Sequence, residues 1–166
     1  MKKKDYSLSP WTMNGETIST NESAKYSDGF FGFIYIIEDK LNNRRYIGKK
    51  DFFSSTRYKN RNKEVAESDW LYYTGSNDVL NAIIKQHGVG IIERRIISRF
   101  TTRKHLDFAE VEYMFTLGVL RDHRWYNTNI AGRWYRSSFS DLPETVDAEE
   151  VRDTMVDFGK ELGLQL

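Results

Sequence analysis

Residues 32 to 48 constrain this chain more than any other stretch. Gly32-Phe33-Ile34-Tyr35-Ile36-Ile37 is apolar and rich in β-branched residues, Lys40-Leu41-Asn42-Asn43 is a polar, Asn-containing turn, and Arg45-Tyr46-Ile47-Gly48 becomes apolar again. Two β-rich runs around such a turn form a β-hairpin. Side chains two apart on a strand share a face, so Tyr35 lies opposite Ile34 and Ile36. If the strands pair in register, Tyr46 joins Tyr35 and two phenols sit close together.

At 166 residues, 39% hydrophobic and 30% charged, the chain suits one soluble domain with short extensions. No apolar run of about 18 residues occurs and the start is Met1-Lys2-Lys3-Lys4-Asp5, so neither a membrane span nor a secretion signal is expected. With no cysteine, disulfides and thiolate zinc sites are excluded, and a cytoplasmic protein is expected. The net charge of +1 conceals an asymmetry: residues 28–135 carry 18 basic against 13 acidic side chains, and residues 136–166 carry 3 against 8. A basic centre fits a polyanionic partner, though a mixed solvated surface gives the same sum.

Residues 1–27 are read as an N-terminal arm lying along the domain or as a disordered leader. Ser54 to Lys63 is either a short basic helix with Arg57 and Arg61 on one face or a solvated basic loop. Ser76-Asn77-Asp78 marks a helix start, Leu80, Ile83 and Ile84 its apolar stripe, and His87-Gly88 its end. Gly90 to Ile97 reads as a third strand. A further helix is expected from Thr101 or Thr102 to about Leu120, with Leu106, Ala109, Tyr113 and Leu117 on one stripe and Phe108, Glu112, Phe115 and Val119 on another. A carboxylate on an apolar stripe is costly without a partner, which singles out Glu112, unless it reaches solvent at the helix edge. Gly132-Arg133-Trp134-Tyr135-Arg136 is basic and aromatic, a composition that grips phosphates or stacks on bases, or else fills a groove. Beyond Pro143, Val151, Met155, Phe158 and Leu162 give an amphipathic helix in an acidic extension over residues 136–166.

Phe33-Ile34-Tyr35 and Tyr46-Ile47-Gly48, eleven positions apart from tyrosine to tyrosine, resemble the signature of the GIY-YIG nuclease superfamily, with Phe33 in place of the first Gly. The resemblance extends over about residues 30–130. Lys49 matches a basic residue after the second motif. Arg57 in Arg57-Tyr58-Lys59-Asn60-Arg61 matches the family's arginine one position late, and Arg61 stands where several members have His. Glu110-Val111-Glu112-Tyr113 resembles the segment with the metal-binding Glu, and the Tyr126-Asn127 pair fifteen residues beyond Glu112 selects Glu112 over Glu110. Trp70-Leu71-Tyr72-Tyr73-Thr74-Gly75-Ser76 is similar to a segment of free-standing and homing-type bacteriophage endonucleases, which would place the protein in a host cytoplasm.

The resemblance implies an α/β (α+β) fold: a central three-stranded, mainly antiparallel sheet flanked by helices over residues 28–135, followed by the C-terminal helix. It implies a divalent-metal-dependent DNA endonuclease that hydrolyses phosphodiester bonds. Glu112 would hold Mg2+, with Mn2+ able to substitute, Arg57 would pair with a phosphate oxygen, and Tyr35 would be the base, assisted by Tyr46 and Lys49. Asn127 would fix the Glu112 end of the site, and Lys50, Arg61, Arg133 and Arg136 would contact nucleic acid. Specificity would come from the core's own loops, from Lys2 to Lys4, Arg133 and Arg136, from a homodimer or from a second protein. The alternatives are a catalytically silent DNA-binding or interaction module and an RNA-cleaving enzyme.

Overall fold

The computed structural model describes residues 9–54 and 66–138. Lys2 to Lys4, Arg57, Arg61 and the expected C-terminal helix lie outside the described residues. β1 (Trp11–Met13) and β2 (Glu16–Thr17) form a hairpin, and α1 (Ser23–Ser27) follows. Then come β3 (Gly32–Asp39), β4 (Arg44–Asp51), α2 (Asp78–His87), β5 (Ile92–Phe100), α3 (Arg103–Thr116), β6 (Asn129–Ile130) and β7 (Trp134–Tyr135). The chain is thus a mixed α+β fold around a central sheet, with β6 and β7 paired separately. Among the described residues no helix is long and apolar enough to cross a membrane.

The expected hairpin forms with Tyr35 opposite Gly48 and Ile37 opposite Tyr46, which puts both tyrosines on one face. Its turn is made by Asp39, whose Oδ1 accepts from the backbone N–H groups of Leu41 and Asn42 while Asn43 takes a left-handed φ of 51°. The Asp39 carboxylate is fully buried and also accepts from the Tyr126 hydroxyl at 2.6 Å. Burial alone would push this carboxyl up, but the bonds from Tyr126, Asn42 and Leu41 outweigh it and hold the group below its ordinary value. A carboxyl depressed in the folded state stabilises the fold above its unfolded pKa of about 4 and loses that contribution as pH falls through the folded value. Urea unfolding from pH 7 down to pH 2 should therefore show an acid loss of stability that is shallower in Asp39→Asn, a variant already weaker at pH 7. An equally steep acid limb in the variant would refute this account.

The sheet has five strands, not three, in the order β2-β1-β5-β3-β4. β3 pairs antiparallel with β4 and β5, as expected, and β1 joins β5 in parallel, with Trp11 opposite Arg94. The two added strands come from the segment read as an arm. Their signal was Asn14-Gly15, both at positive φ (52° and 84°), the two-residue turn that matches the twist of antiparallel strands. Trp11 is 1% exposed and its indole donates to the Trp70 carbonyl, so the hairpin is packed into the domain.

The sheet separates two cores. Phe33, Tyr35, Ile37 and Phe52 pack with Trp11, Trp70 and α2 on one side, and Ile34 and Ile47 pack with Leu106, Ala109 and Met114 of α3 on the other. α2 starts at Asn77, whose side chain accepts from the Leu80 N–H, and ends at Gly88, as the sequence indicates. α3 starts at Thr102 but stops at Thr116, short of Leu120. Gly118, at φ 59°, closes it: Val119 N–H donates to the Met114 carbonyl and Gly118 N–H to that of Phe115, the arrangement that ends helices at a left-handed glycine. The expected second stripe is therefore not a buried one. Val119 is buried beyond the helix end, while Phe108 and Phe115 are exposed on the outer face with Glu112.

Candidate active site

β4 is the edge strand of the sheet, and an unpaired edge exposes a row of backbone donors and acceptors. The segment 124–127 covers it. Arg45 N–H donates to the Arg124 carbonyl and Tyr126 N–H to that of Arg45, both at 2.7 Å. Asn127 then acts as the next rung through its side chain, accepting from Ile47 N–H at 3.0 Å and donating to the Ile47 carbonyl at 2.9 Å. Asn127 thus holds the middle of Tyr46-Ile47-Gly48, and its amide contacts the strand rather than a glutamate.

Gly48 lies between the two phenols. A Cβ on it would stand 2.6 Å from the Tyr35 hydroxyl and 3.3 Å from the Tyr46 ring, so only glycine lets Tyr35 reach across the strand. The Tyr35 and Tyr46 ring centroids are 6.2 Å apart, and Tyr73 meets Tyr35 edge-on at 5.8 Å. Tyr73 is set in turn by β5: the buried Arg94 guanidinium donates to the carbonyls of Leu71 and Tyr73 at 3.0 Å each. Gly75 (φ 90°) packs against the Tyr46 ring, and the next residue, Ser76, shares a 2.8 Å hydrogen bond with the Tyr46 hydroxyl. The Trp70-to-Ser76 segment is therefore the wall behind the phenols.

Around this edge a cleft of about 330 Å3 opens, lined by Tyr46, Ser76, Glu110, Asn127, Thr128 and Asn129 among others. Tyr35 is 1% exposed and stands behind it. Burial, followed by the nearby Tyr46 and Tyr73 hydroxyls, pushes the Tyr35 phenol well above its ordinary value. Burial also raises Tyr46, with the Ser76 hydroxyl opposing it. Both phenols are therefore protonated at neutral pH.

The carboxylate at the cleft is Glu110. Its Oε2 meets Lys49 Nζ at 2.9 Å, and Lys49 also reaches Asp107 Oδ1 at 2.7 Å. Burial would lower Lys49, but hydrogen bonds to Asp107 and Glu110 outweigh it and raise its pKa. Glu112 is exposed on the outer face of α3 and does not line the cleft, because residues two apart on a helix point about 200° away from each other. The signal available in the sequence was that Glu110 follows Leu106 and precedes Met114 by four residues each, on the turn that faces the sheet.

The other expected residues divide. Lys50 Nζ bonds Asp69 Oδ1 at 2.6 Å and lies 4.2 Å from the centre of the Tyr73 ring, one position beyond Lys49. Arg133 is exposed over the Trp134 ring at the β6–β7 turn, next to the cleft wall at Asn129. Arg136 has a structural attachment: its guanidinium donates to the carbonyls of Val119, Leu120 and Asp122 and fastens the end of the domain to the loop after α3. Arg57 and Arg61 lie outside the described residues, but the stems of their segment are fixed beside Lys49 and Lys50, where Ser54 N–H donates to the Ala66 carbonyl at 2.9 Å. A larger recess of about 670 Å3 along β1 and β5 contains none of the expected site residues.

One carboxylate among neutral oxygen donors suits a hard divalent cation that keeps most of its waters. Among the described residues no group of three or more acidic or His side chains could enclose a metal ion. The residues present therefore fit a lightly ligated Mg2+ and do not fit a zinc site.

The model of a family described as "Putative endonuclease segE, GIY-YIG domain" matches residues 11–130, a span that starts at β1 and ends at β6. No curated protein and no solved structure matches.

Proposed function

We propose, from the premise that this chain belongs to the GIY-YIG endonuclease domain family of putative endonuclease segE, that it is a divalent-metal-dependent DNA endonuclease acting at the β4 edge. The observation that carries the reading is the convergence of Tyr46 and Glu110 on one cleft, with Lys49 bonded to Glu110 beside it and the Tyr35 ring packed against that of Tyr46. Glu110 takes the metal-binding role that the resemblance assigned to Glu112. Mg2+ held there would offset charge on the phosphoryl oxygens, and Mn2+ would substitute.

The chain's own groups do the rest. Tyr46 touches the cleft and orients the attacking water through its hydroxyl, which Ser76 fixes. Because both phenols rest protonated, Tyr46 takes the water's proton only as it passes its own hydroxyl proton to solvent at the open cleft, with Tyr35 supporting that hydroxyl from behind, and solvent returns a proton to the departing oxygen. Lys49 supplies positive charge beside the reacting phosphate. Arg57 would add a planar fork for a nonbridging oxygen. Asn127 holds the strand that carries Tyr46 in place.

Supercoiled plasmid tests this directly. Nicking is expected with Mg2+ or Mn2+, none with EDTA, and a loss of about 100-fold in Tyr46→Phe. Binding of DNA without any metal-dependent nicking would replace this reading with that of a silent binding module.

A further inference from the structure

Lys49 is shared. Its ammonium contacts Asp107 at 2.7 Å and Glu110 at 2.9 Å, carboxylates one helical turn apart on the same side of α3. Asp107 does not line the cleft and its side chain is 49% exposed, whereas that of Glu110 is 20% exposed. An ammonium against Glu110 competes with any cation that this carboxylate is to hold. A second carboxylate on the same ammonium draws it off. We infer that Asp107 is a positioning residue that holds Lys49 partly away from Glu110 and so sets how readily Glu110 accepts a divalent ion.

This rests on the metal-holding role proposed for Glu110. Without the Asp107 charge, Lys49 closes fully onto Glu110 and a cation must displace a tighter ion pair. The effect passes through Lys49, so it disappears when residue 49 carries no charge. A direct ligand at position 107 would behave differently, because its removal would weaken metal binding whatever stood at position 49.

The experiment is a double-mutant cycle on the full-length chain. Mn2+ affinity is read on the DNA-free protein by electron paramagnetic resonance, and the Mg2+ half-saturation of plasmid nicking is read alongside. Asp107→Asn is expected to weaken Mn2+ binding about five-fold, the upper range for a partly exposed ion pair, with nicking at saturating Mg2+ within about two-fold of wild type. Asp107→Glu is expected to restore the affinity. In the Lys49→Met background, Asp107→Asn should shift the affinity by less than about two-fold. A full shift in that background, or no shift in either, overturns the inference while leaving the nuclease reading in place. The separate control is Glu110→Gln. If that variant keeps wild-type Mn2+ affinity, the metal assignment itself fails and this inference with it.

Discussion

Glu110→Gln is expected to reduce plasmid nicking by at least about 100-fold, and Glu112→Gln to leave it within about three-fold, although the two positions are separated by a single residue. Gln keeps the shape of the side chain and removes the charge that would hold the cation. Lys49 keeps Asp107 as a partner at 2.7 Å, so the substitution does not strand a buried ammonium and the melting temperature should remain near wild type. Glu112 points to solvent from the outer face of α3, beside the exposed Phe108 and Phe115. Parallel nicking time courses with the two variants decide the matter. Equal activity in wild type and Glu110→Gln, or loss confined to Glu112→Gln, would sink the assignment.

Gly48→Ala is the second large effect. The new methyl group would stand 2.6 Å from the Tyr35 hydroxyl oxygen and 2.9 Å from the ring carbon that bears it. Tyr35 cannot swing aside, because Trp11, Phe33, Tyr46 and Tyr73 rings surround it with centroids 5.5 to 6.2 Å away. The strain therefore falls on the strand pairing or on the phenol pair. Overpacking of this kind costs about 1–3 kcal/mol. Activity should fall further, by about 10- to 100-fold, since displacement of reacting groups by about an ångström is enough for that. Urea unfolding together with nicking on the same preparation would measure both. Wild-type activity in Gly48→Ala would show that the Tyr35 hydroxyl has no part in the chemistry.

Glu110→Gln tests the side of α3 that faces the β4 edge, and Gly48→Ala tests the face of the hairpin that the two tyrosines share. Asn127 links them, since its amide pairs with Ile47, between Tyr46 and Gly48, while the cleft it lines also holds Glu110.

The sequence by itself determined whatever rests on near neighbours along the chain. Alternation put Tyr35 and Tyr46 on one face, Asn77 and Gly88 bounded α2, and the order of motifs indicated the family to which residues 11–130 conform. These follow from strand period, cap chemistry and turn residues, which act over a few positions. The Asn14-Gly15 turn was legible on the same terms, but its parallel union with β5 is a contact between residues about eighty positions apart. Only the tertiary structure shows which of Glu110 and Glu112 faces the cleft. Counting fifteen positions to Asn127 passes through the helix end at Gly118 and an irregular loop, where chain length no longer measures direction. The rotation of α3 about its own axis is set by packing Leu106, Ala109 and Met114 against Ile34 and Ile47, and that packing turns Glu110 inward and Glu112 out.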